Sequence, residues 1–251
     1  MQFLLDTGIM LVSYIFGSIP FGLIVVKLMS GKDIRTIASG RTGGTNAMRA
    51  AGPWAGVLTA ILDIFKSAAT VWLVQAITPN VWMHALAPIA VILGHNYSIF
   101  LIERSSEGRL RLRGGAGGAA AGGGAFGLWP PIAFILIPFA VLIWYGIGFA
   151  SVTTLSIGLM TIIVFGVRAV LGLGPWEYVI YGLLAEIILV WALRSNIRRL
   201  RDGRERRHGL PFQLRKRRLA RAKAERKTGK QAEGPDKNAG TSKDLGVDSS
   251  E

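Results

Sequence analysis

The sequence predicts an all-α integral membrane protein that crosses the bilayer with about seven transmembrane helices. Hydrophobic residues make up 51% of the 251 residues, and the mean hydropathy of +0.41 is high for a soluble domain. The apolar residues form long blocks instead of recurring at amphipathic spacing. Blocks of roughly 17–25 such residues are what a helix needs to cross the hydrocarbon core.

Six of the apolar blocks are long enough to span a membrane: 3–29, 54–77, 81–102, 131–149, 152–170 and 176–193. A seventh block, 114–128, is short and rich in glycine, so it is a weaker candidate. A cleaved signal peptide is the alternative interpretation of the first block. That block lacks a basic start and is longer than such peptides usually are, so we expect one membrane domain over residues 1–193.

The distribution of charge predicts which helix ends face the cytoplasm. The chain has a net charge of +14, and its basic residues cluster in 32–49, in 104–113 and from residue 194 onward. The connections near Pro79 and Pro130 carry none. Because cytoplasmic loops of membrane proteins are enriched in lysine and arginine, we expect the amino terminus outside and the carboxyl terminus in the cytoplasm.

Two further segments follow the expected membrane domain. Residues 194–230 are strongly basic, and we predict a cytoplasmic juxtamembrane segment. Its first part is either a helix that lies on anionic membrane lipids or, as we favour, part of a solvated tail that helps to orient the protein. Residues 231–251 are small, polar and of mixed charge, which is typical of a disordered tail. Nucleic acid is the competing partner for a basic run. We expect no such partner, because Phe212 is the only aromatic side chain there that could stack on a base.

The residue types also argue against disulfide, thiol and metal chemistry. The chain has no cysteine, and its three histidines, His84, His95 and His208, are scattered. No carboxylate–histidine spacing is typical of a metal site. We therefore expect neither a metal nor another cofactor.

Residues 38–49 form the most informative polar segment, which lies between two apolar blocks. It combines glycines, hydroxyls, an amide and two guanidinium groups: Ser39, Gly40, Arg41, Gly43, Thr45, Asn46 and Arg49. Glycines let backbone N–H groups approach a ligand, and arginines pair with phosphate oxygens. The segment therefore predicts a polar loop that binds phosphate at the membrane surface.

A glycine-rich run, 114–124, follows three closely spaced arginines, Arg109, Arg111 and Arg113. One interpretation is a nest of backbone N–H groups that receives an anion. The other is close helix packing through small residues, which is common in membranes. Both interpretations remain open at this point.

Ionisable residues within the apolar blocks need partners, because charge is costly in hydrocarbon. Asp63 and Lys66 are three positions apart, so they share a helical face and can form an internal ion pair. His95 lies near the end of the third block. There it either caps the helix and packs against its neighbours or takes part in the function of the site. Glu186 lies deep in the last block, and the sequence names no partner for it.

At these positions the chain resembles the bacterial acyl-phosphate:glycerol-3-phosphate acyltransferases, over roughly residues 10–207. The first family motif is matched by Ser39, Gly40, Gly43, Thr45, Asn46 and Arg49. The second is matched by Gly94, His95, Gly114, Gly115 and Gly117, with Arg113 and Ala116 in place of two lysines and with 103–112 inserted. The third is matched by Asn196, Arg199, Leu200, Gly203 and Glu205, with Leu193 in place of a histidine.

This resemblance implies a multi-pass enzyme of the bacterial plasma (inner) membrane. Its reaction would move a fatty acyl group from acyl phosphate to the 1-hydroxyl of glycerol 3-phosphate, giving lysophosphatidic acid and phosphate in phospholipid synthesis. The implied catalytic residues are Ser39, Arg49 and Asn196. The implied substrate-binding residues are Gly40, Arg41, Gly43, Thr45, Asn46, His95, Arg111, Arg113, Gly114, Gly115 and Gly117. A monomer is the expected form.

Two alternatives to this enzyme remain. Because Ala116 and Leu193 replace a lysine and a histidine, the chain is alternatively a homologue that binds phosphorylated lipid precursors without turning them over. A transporter for an organic phosphate is less favoured. Transporters of that kind show paired repeats and polar residues near the midplane, whereas this chain has no internal repeat and its polar motifs gather at one interface.

Overall fold

The computed structural model describes residues 1–104 and 108–207, and these are mostly helical. The helices are α1 (Gln2–Gly17), α2 (Phe21–Ser30), α3 (Gly44–Ala51), α4 (Pro53–Ile77), α5 (Val81–Asn96), α6 (Gly118–Leu128), α7 (Ala133–Gly146), α8 (Ala150–Val170) and α9 (Glu177–Arg201). Two short strands, β1 (Ile102–Arg104) and β2 (Leu110–Leu112), pair antiparallel. The all-α prediction is therefore correct for this part of the chain except at the small hairpin.

The first apolar block folds as two helices, α1 and α2, instead of one. Pro20 directly precedes α2, where its fixed φ and missing N–H suit a helix start but not a helix interior. Close contacts of small residues pack α1 on α5: Gly17 lies against the backbone of Val91, and Gly94 lies against the α1 backbone. Small residues at such crossings let membrane helices approach each other closely.

Helix α6 occupies the centre of the bundle. Gly123 lies against the backbone of Ile64 in α4, and Gly127 lies against the side chain of Val71. On another face, Gly124 contacts the ring of Tyr181 in α9. The largest buried hydrophobic cluster joins α4, α5, α6, α8 and α9. The helical part of the glycine-rich run therefore serves close packing, which is one of the two interpretations that the sequence left open.

Five helical segments among the described residues are long and apolar enough to cross a membrane: Gln2–Ser30, Pro53–Ile77, Val81–Leu101, Ala150–Val170 and Glu177–Arg201. The apolar segment Pro130–Gly146 is shorter, and α6 has 11 residues. Helix α6 nevertheless packs along α8. Gly118, at the start of α6, contacts Thr154, and the ring centroid of Trp129, which follows α6, lies 3.9 Å from Cζ of Arg168. Seven crossings and their orientation therefore stay predictions.

Two local features differ from the sequence predictions. The second half of the predicted polar loop 38–49 is helical, because α3 begins at Gly44 and contains good helix formers such as alanine, methionine and arginine. Helix α9 continues to Arg201, beyond the predicted domain end at residue 193. The arginines of its last turn favour a helix carboxyl terminus. Most of the basic segment and all of 231–251 lie outside the described residues.

Candidate active site

Asn46 holds the polar segment before α3 in a compact shape. Its buried amide Nδ2 donates to the backbone oxygens of Ile34, Ile37 and Arg41, at 3.2, 3.0 and 2.9 Å. The two N–H hydrogens of the amide are shared among these three carbonyls, so one side chain links three points of the segment 34–41. Asn46 therefore stabilises the loop through its interior contacts, and the loop places Ser39 and Arg41 in the wall of the cavity described below.

The amino-terminal end of α3 brings small residues to the same place. Gly43 precedes the helix, and Gly44 is so close to the backbone of Gly56 in α4 that a side chain would not fit there. Thr45 stands in the first turn, and helix starts offer unpaired N–H groups to an anion. The part of the predicted loop that turned out to be helical therefore still suits phosphate.

The second motif lies directly beside the first. The N–H of Thr42 donates to the carbonyl of Gly114 at 3.3 Å, and the N–H of Gly115 donates to the carbonyl of His95 at 2.8 Å. Gly115 also lies against the imidazole of His95, and Gly117 has a φ of +91°. A side chain at 115 would displace the imidazole, and one at 117 would be strained. The glycines thus let this turn cover His95.

The carboxyl-terminal half of α9 completes the site. The guanidinium of Arg41 donates to the backbone carbonyl of Ala192 at 2.6 Å. Asn196 donates to Oε1 of Glu205 at 3.0 Å, while the hydroxyl of Ser151 donates to Oε2 of the same carboxylate at 2.6 Å. Glu205 therefore ties the end of α9 to the start of α8 and orients the Asn196 amide.

A large cavity of about 530 Å³ lies between these elements. Its polar end is formed by the loop, α3 and the end of α9, including Ser39, Arg41, Thr45, Arg49, His95 and Asn196. Its apolar end is formed by α4, α7 and α8, including Val57, Ile64, Val141, Trp144 and Ile157. One cavity therefore has cations at one end, which suit an anionic head group, and apolar walls at the other end, which suit a long hydrocarbon chain.

A smaller cavity of about 170 Å³ adjoins the large one on the cationic side. Its lining residues are Ala38, Ser39, Arg49, Asn196, Arg199, Arg204, Glu205 and Arg206. Four of these, Ser39, Arg49, Asn196 and Glu205, also line the large cavity. All three residues predicted to be catalytic therefore stand where the two cavities meet.

The guanidinium groups of Arg41 and Arg49 are partly buried and lie near other positive charges, which favours the binding of an anion. Burial, together with the nearby guanidinium groups of Arg199 and Arg194, lowers the pKa of Arg41 below its usual value. Burial lowers the pKa of Arg49 as well, with Arg206 contributing and Glu205 opposing. Both groups stay charged at neutral pH, because arginine titrates far above it. The negative charge of a phosphate would offset both the lost hydration and the repulsion between these guanidinium groups.

Five of the predicted binding residues line neither cavity: Gly40, Arg111, Arg113, Gly114 and Gly115. The glycines shape the backbone around the site. Nε of Arg113 lies 2.6 Å from a carboxylate oxygen of Glu103, and Arg111 is exposed on β2. Arg113 thus pairs with the hairpin.

Arg35 links that hairpin to the loop. Its guanidinium lies 3.6 Å from Glu103 and 2.7 Å from Asp33. Hydrogen bonds from Arg35 lower the pKa of Asp33 to about 2. Glu103, Arg35 and Asp33 therefore form an ionic network at the rim of the site.

The predicted ion pair of Asp63 and Lys66 is present, with the ammonium 2.8 Å from Oδ1. The sequence did not reveal that Lys66 also reaches Nδ1 of His95, at 3.0 Å. It also missed Ser151, whose only signal is a hydroxyl at the start of an apolar block. Ala116 and Leu193, which by the family resemblance replace a lysine and a histidine, both line the large cavity.

Comparison with known proteins finds relatives over most of the chain. Residues 7–203 match the family model described as glycerol-3-phosphate acyltransferase. A glycerol-3-phosphate acyltransferase from Rubrobacter xylanophilus is 32% identical over 206 residues, which cover 82% of this chain and 96% of the relative. One from Thermus thermophilus is 33% identical over 200 residues, covering 80% of this chain and 94% of the relative.

Solved structures show the same fold. A crystal structure of PlsY, an integral membrane glycerol 3-phosphate acyltransferase, in its glycerol 3-phosphate form gives a TM-score of 0.69 at 28% identity, covering 83% of this chain and 98% of that one. The lysophosphatidic acid form of PlsY gives 0.66 at 27% identity, covering 82% and 96%.

Proposed function

This chain belongs to the glycerol-3-phosphate acyltransferase family, and from that premise we propose that it uses acyl phosphate as donor and releases lysophosphatidic acid and phosphate. Its apolar helices and its likeness to PlsY make it a multi-pass membrane protein. The observation that carries the proposal is the pair of adjoining cavities that share Ser39, Arg49 and Asn196. Such a pair is what two anionic substrates need to react side by side.

The large cavity suits acyl phosphate. The turn before α3 and the start of that helix supply backbone donors from Gly43 and Thr45, and Arg41 adds a cation. The apolar walls from α4, α7 and α8 suit the fatty chain, whose burial is favourable at about 0.8 kcal/mol per CH₂ group. Asn46 supports this subsite by holding the loop, since its amide N–H groups already serve backbone carbonyls.

The small cavity suits glycerol 3-phosphate, which is compact and fully polar. Arg199, Arg204 and Arg206 line it together with Arg49, and guanidinium groups form paired hydrogen bonds with phosphate. The Asn196 amide, oriented by Glu205, borders both cavities. In this arrangement the 1-hydroxyl of the acceptor points toward the large cavity while its phosphate stays among the arginines.

The proposed chemistry is a direct acyl transfer. The 1-hydroxyl oxygen of glycerol 3-phosphate attacks the acyl carbonyl carbon, an ester bond forms, and the carbon–oxygen bond to phosphate breaks with its electron pair on the departing phosphate. The hydroxyl proton passes to that phosphate or to solvent. Positioning of the reactants and stabilisation of the developing oxyanion supply the acceleration. Ser39 and Arg49, at the junction of the cavities, supply donors there.

The finer cellular setting belongs to the same proposal. We infer a bacterial plasma (inner) membrane location, a monomer, and contact of the basic residues after α9 with anionic lipids. The basic loop residues and the arginines that end α9 meet at one end of the bundle, which supports a common cytoplasmic face by the positive-inside tendency.

A turnover assay tests the function. Purified protein in nanodiscs is given acyl phosphate and glycerol 3-phosphate, and lysophosphatidic acid is measured, with an acyl thioester as the competing donor. We expect product from acyl phosphate. Ser39→Ala should lower the rate at least about tenfold, by analogy with loss of an oxyanion-hole donor. Thr36→Ala, exposed and outside both cavities, is the matched control with unchanged rate.

Three results would each contradict this proposal, two of them the acyltransferase activity itself and one the choice of donor. Binding of both substrates without product above the Ser39→Ala variant would indicate a homologue that binds lipid precursors and does not turn them over. Uptake of labelled glycerol 3-phosphate into proteoliposomes without product would indicate a transporter. Product from the thioester alone would leave an acyltransferase but overturn the acyl-phosphate donor.

A further inference from the structure

A buried cluster of three ionisable side chains lies beneath the polar end of the large cavity. It consists of Asp63 and Lys66 from α4 and His95 from α5. All three side chains are at most 5% exposed. Asp63 and His95 line the cavity, whereas Lys66 lies behind them. Since charge buried in a membrane bundle is costly and is usually tied to function, a role beyond helix packing has to be considered.

The ammonium of Lys66 forms an ion pair with Asp63 and lies within hydrogen-bond distance of two further acceptors. Its Nζ lies 2.8 Å from Oδ1 of Asp63, 3.0 Å from Nδ1 of His95 and 3.2 Å from the backbone oxygen of Ile19. A lysine ammonium has three N–H donors and no acceptor. The ammonium therefore pairs with the carboxylate by charge and donates to the backbone oxygen of Ile19, and its contact with Nδ1 directs an N–H group at the imidazole.

This contact decides which nitrogen of His95 carries the proton. Nδ1 also lies 3.3 Å from Oδ1 of Asp63, so a donor bond from Nδ1–H to that carboxylate is the competing arrangement. It would bring an N–H of the imidazole against the N–H groups of Lys66, which is 3.0 Å away. The shorter contact requires a lone pair on Nδ1. In a neutral imidazole the other nitrogen then holds the hydrogen.

The remaining nitrogen, Nε2, lies beside the glycine turn at the edge of the large cavity. It is the atom nearest to the position a side chain at Gly115 would take, and both His95 and the next residue of the turn, Ala116, line the cavity. Within residues 1–104 and 108–207, no side chain or carbonyl holds Nε2 in a hydrogen bond. An N–H group on this atom is thus available to a ligand.

We propose that His95 donates a hydrogen bond through Nε2–H to a phosphoryl oxygen of the acyl donor, and that Lys66 and Asp63 are positioning residues that fix this tautomer. The inference rests on the proposed function and adds a role for the cluster within the same site. It assigns His95 as a donor and not as a general base, because a base would need its lone pair on Nε2. Asp63 in turn balances the charge of Lys66 away from water.

The tautomer is tested without any turnover. Full-length protein labelled with ¹⁵N-histidine is placed in nanodiscs, and His84→Gln and His208→Gln variants assign the three histidine signals. We expect His95 with hydrogen on Nε2 and an unprotonated Nδ1. A non-hydrolysable acyl phosphonate should shift the Nε2–H signal. Lys66→Met should populate the opposite tautomer, whereas Lys27→Met, at the exposed end of α2, should not.

Kinetics separate a donor from a base. Removing a hydrogen bond to a charged group typically costs about 10–100-fold, so His95→Ala should raise KM for acyl phosphate by that factor. His95→Gln places an amide N–H near the position of Nε2 and should recover most of the loss, whereas the shorter His95→Asn should not. Lys66→Met should also raise this KM, even at a temperature where the variant is fully folded.

The other outcomes distinguish a failure of the His95 assignment from a failure of the proposed transferase function. Loss of kcat by about 10²–10⁴-fold in both His95→Ala and His95→Gln would identify a general base and overturn the inference. Hydrogen on Nδ1 in the unaltered protein would overturn it as well, while leaving the transferase function intact. Absence of product with the unaltered protein would reject the function alone, because the histidine signal and its response to the phosphonate still decide the tautomer and the contact.

Discussion

At the scale of single residues, two apolar side chains stand at positions where the family resemblance implies polar ones. By that resemblance Ala116 replaces a lysine and Leu193 a histidine, and both line the large cavity. Leu193 is 2% exposed and extends the apolar wall beside Asn196. Since the proposed acyl transfer starts from an activated anhydride, positioned cations and backbone donors can still carry it. Loss of one acid–base group lowers a rate by about 10²–10⁴-fold.

Restoring the lysine should improve the enzyme. Ala116 is half-buried in the turn that covers the cavity, so the side chain of Ala116→Lys can reach a phosphoryl oxygen. A charge-assisted hydrogen bond there should raise kcat/KM by about tenfold, measured by steady-state formation of lysophosphatidic acid. Ala119→Lys, one turn further along the same cavity, is the matched control. An equal gain in both variants would mean that added positive charge alone is responsible.

Arg113 offers a second test at the residue scale. The structure pairs it with Glu103 instead of placing it in a cavity. Partly exposed ion pairs contribute about 0–1 kcal/mol, so Arg113→Gln and Glu103→Gln should each change KM for glycerol 3-phosphate by less than about fivefold. The two changes should be alike. A loss of tenfold or more in Arg113→Gln alone would show that its guanidinium binds substrate directly.

At the scale of helices and strands, the long apolar blocks were predictable because their length and composition alone report membrane helices. The predicted blocks 54–77 and 152–170 differ from α4 and α8 by one or two residues at the start of the helix. The sequence analysis predicted neither the break between α1 and α2 at Pro20 nor the helix α3. Both depend on backbone geometry and on contacts with residues that are distant in the sequence. The hairpin of β1 and β2 lay in an insertion whose fold the sequence left open.

The site residues likewise were predictable from sequence motifs, whereas the contacts between them were not. The residues Ser39, Thr45, Arg49 and Asn196 were found by motif, and the structure brings them to one cavity. The motif match could not show that Arg113 turns toward Glu103, since that contact depends on the inserted strands. Contacts between α4 and α5, such as that between Lys66 and His95, depend equally on tertiary packing.

Helix α6 yields a prediction about packing. Gly123 faces the backbone of Ile64, so a Cβ there would force the helices apart, whereas a Cβ at Gly122 would make an ordinary 3.6 Å contact with Ile157. Gly123→Ala should therefore cost about 1–3 kcal/mol of stability through overpacking. Gly122→Ala should be neutral or slightly stabilising because alanine favours helix. Thermal unfolding in detergent measures both. Equal melting temperatures would contradict the central position of α6.

At the scale of the whole molecule, charge and helix count together predict an orientation. An odd number of crossings, five or seven, puts the two ends of the membrane domain on opposite sides of the bilayer, and the basic segments predict that the site faces the cytoplasm. The chain has no cysteine, so single replacements can be labelled. Pro79→Cys should react with an impermeant maleimide from outside intact cells, and Ser195→Cys only after lysis; both positions are exposed. The reverse pattern would refute the orientation.

The central claim is that two adjoining cavities hold the two anionic substrates separately. Thr45 lines only the large cavity and Arg199 only the small one, so KM values for both substrates in Thr45→Val and Arg199→Gln test it most directly. We predict that Thr45→Val raises KM for acyl phosphate about tenfold and that Arg199→Gln does the same for glycerol 3-phosphate, each leaving the other KM within about twofold. Both variants raising the same KM would contradict the account.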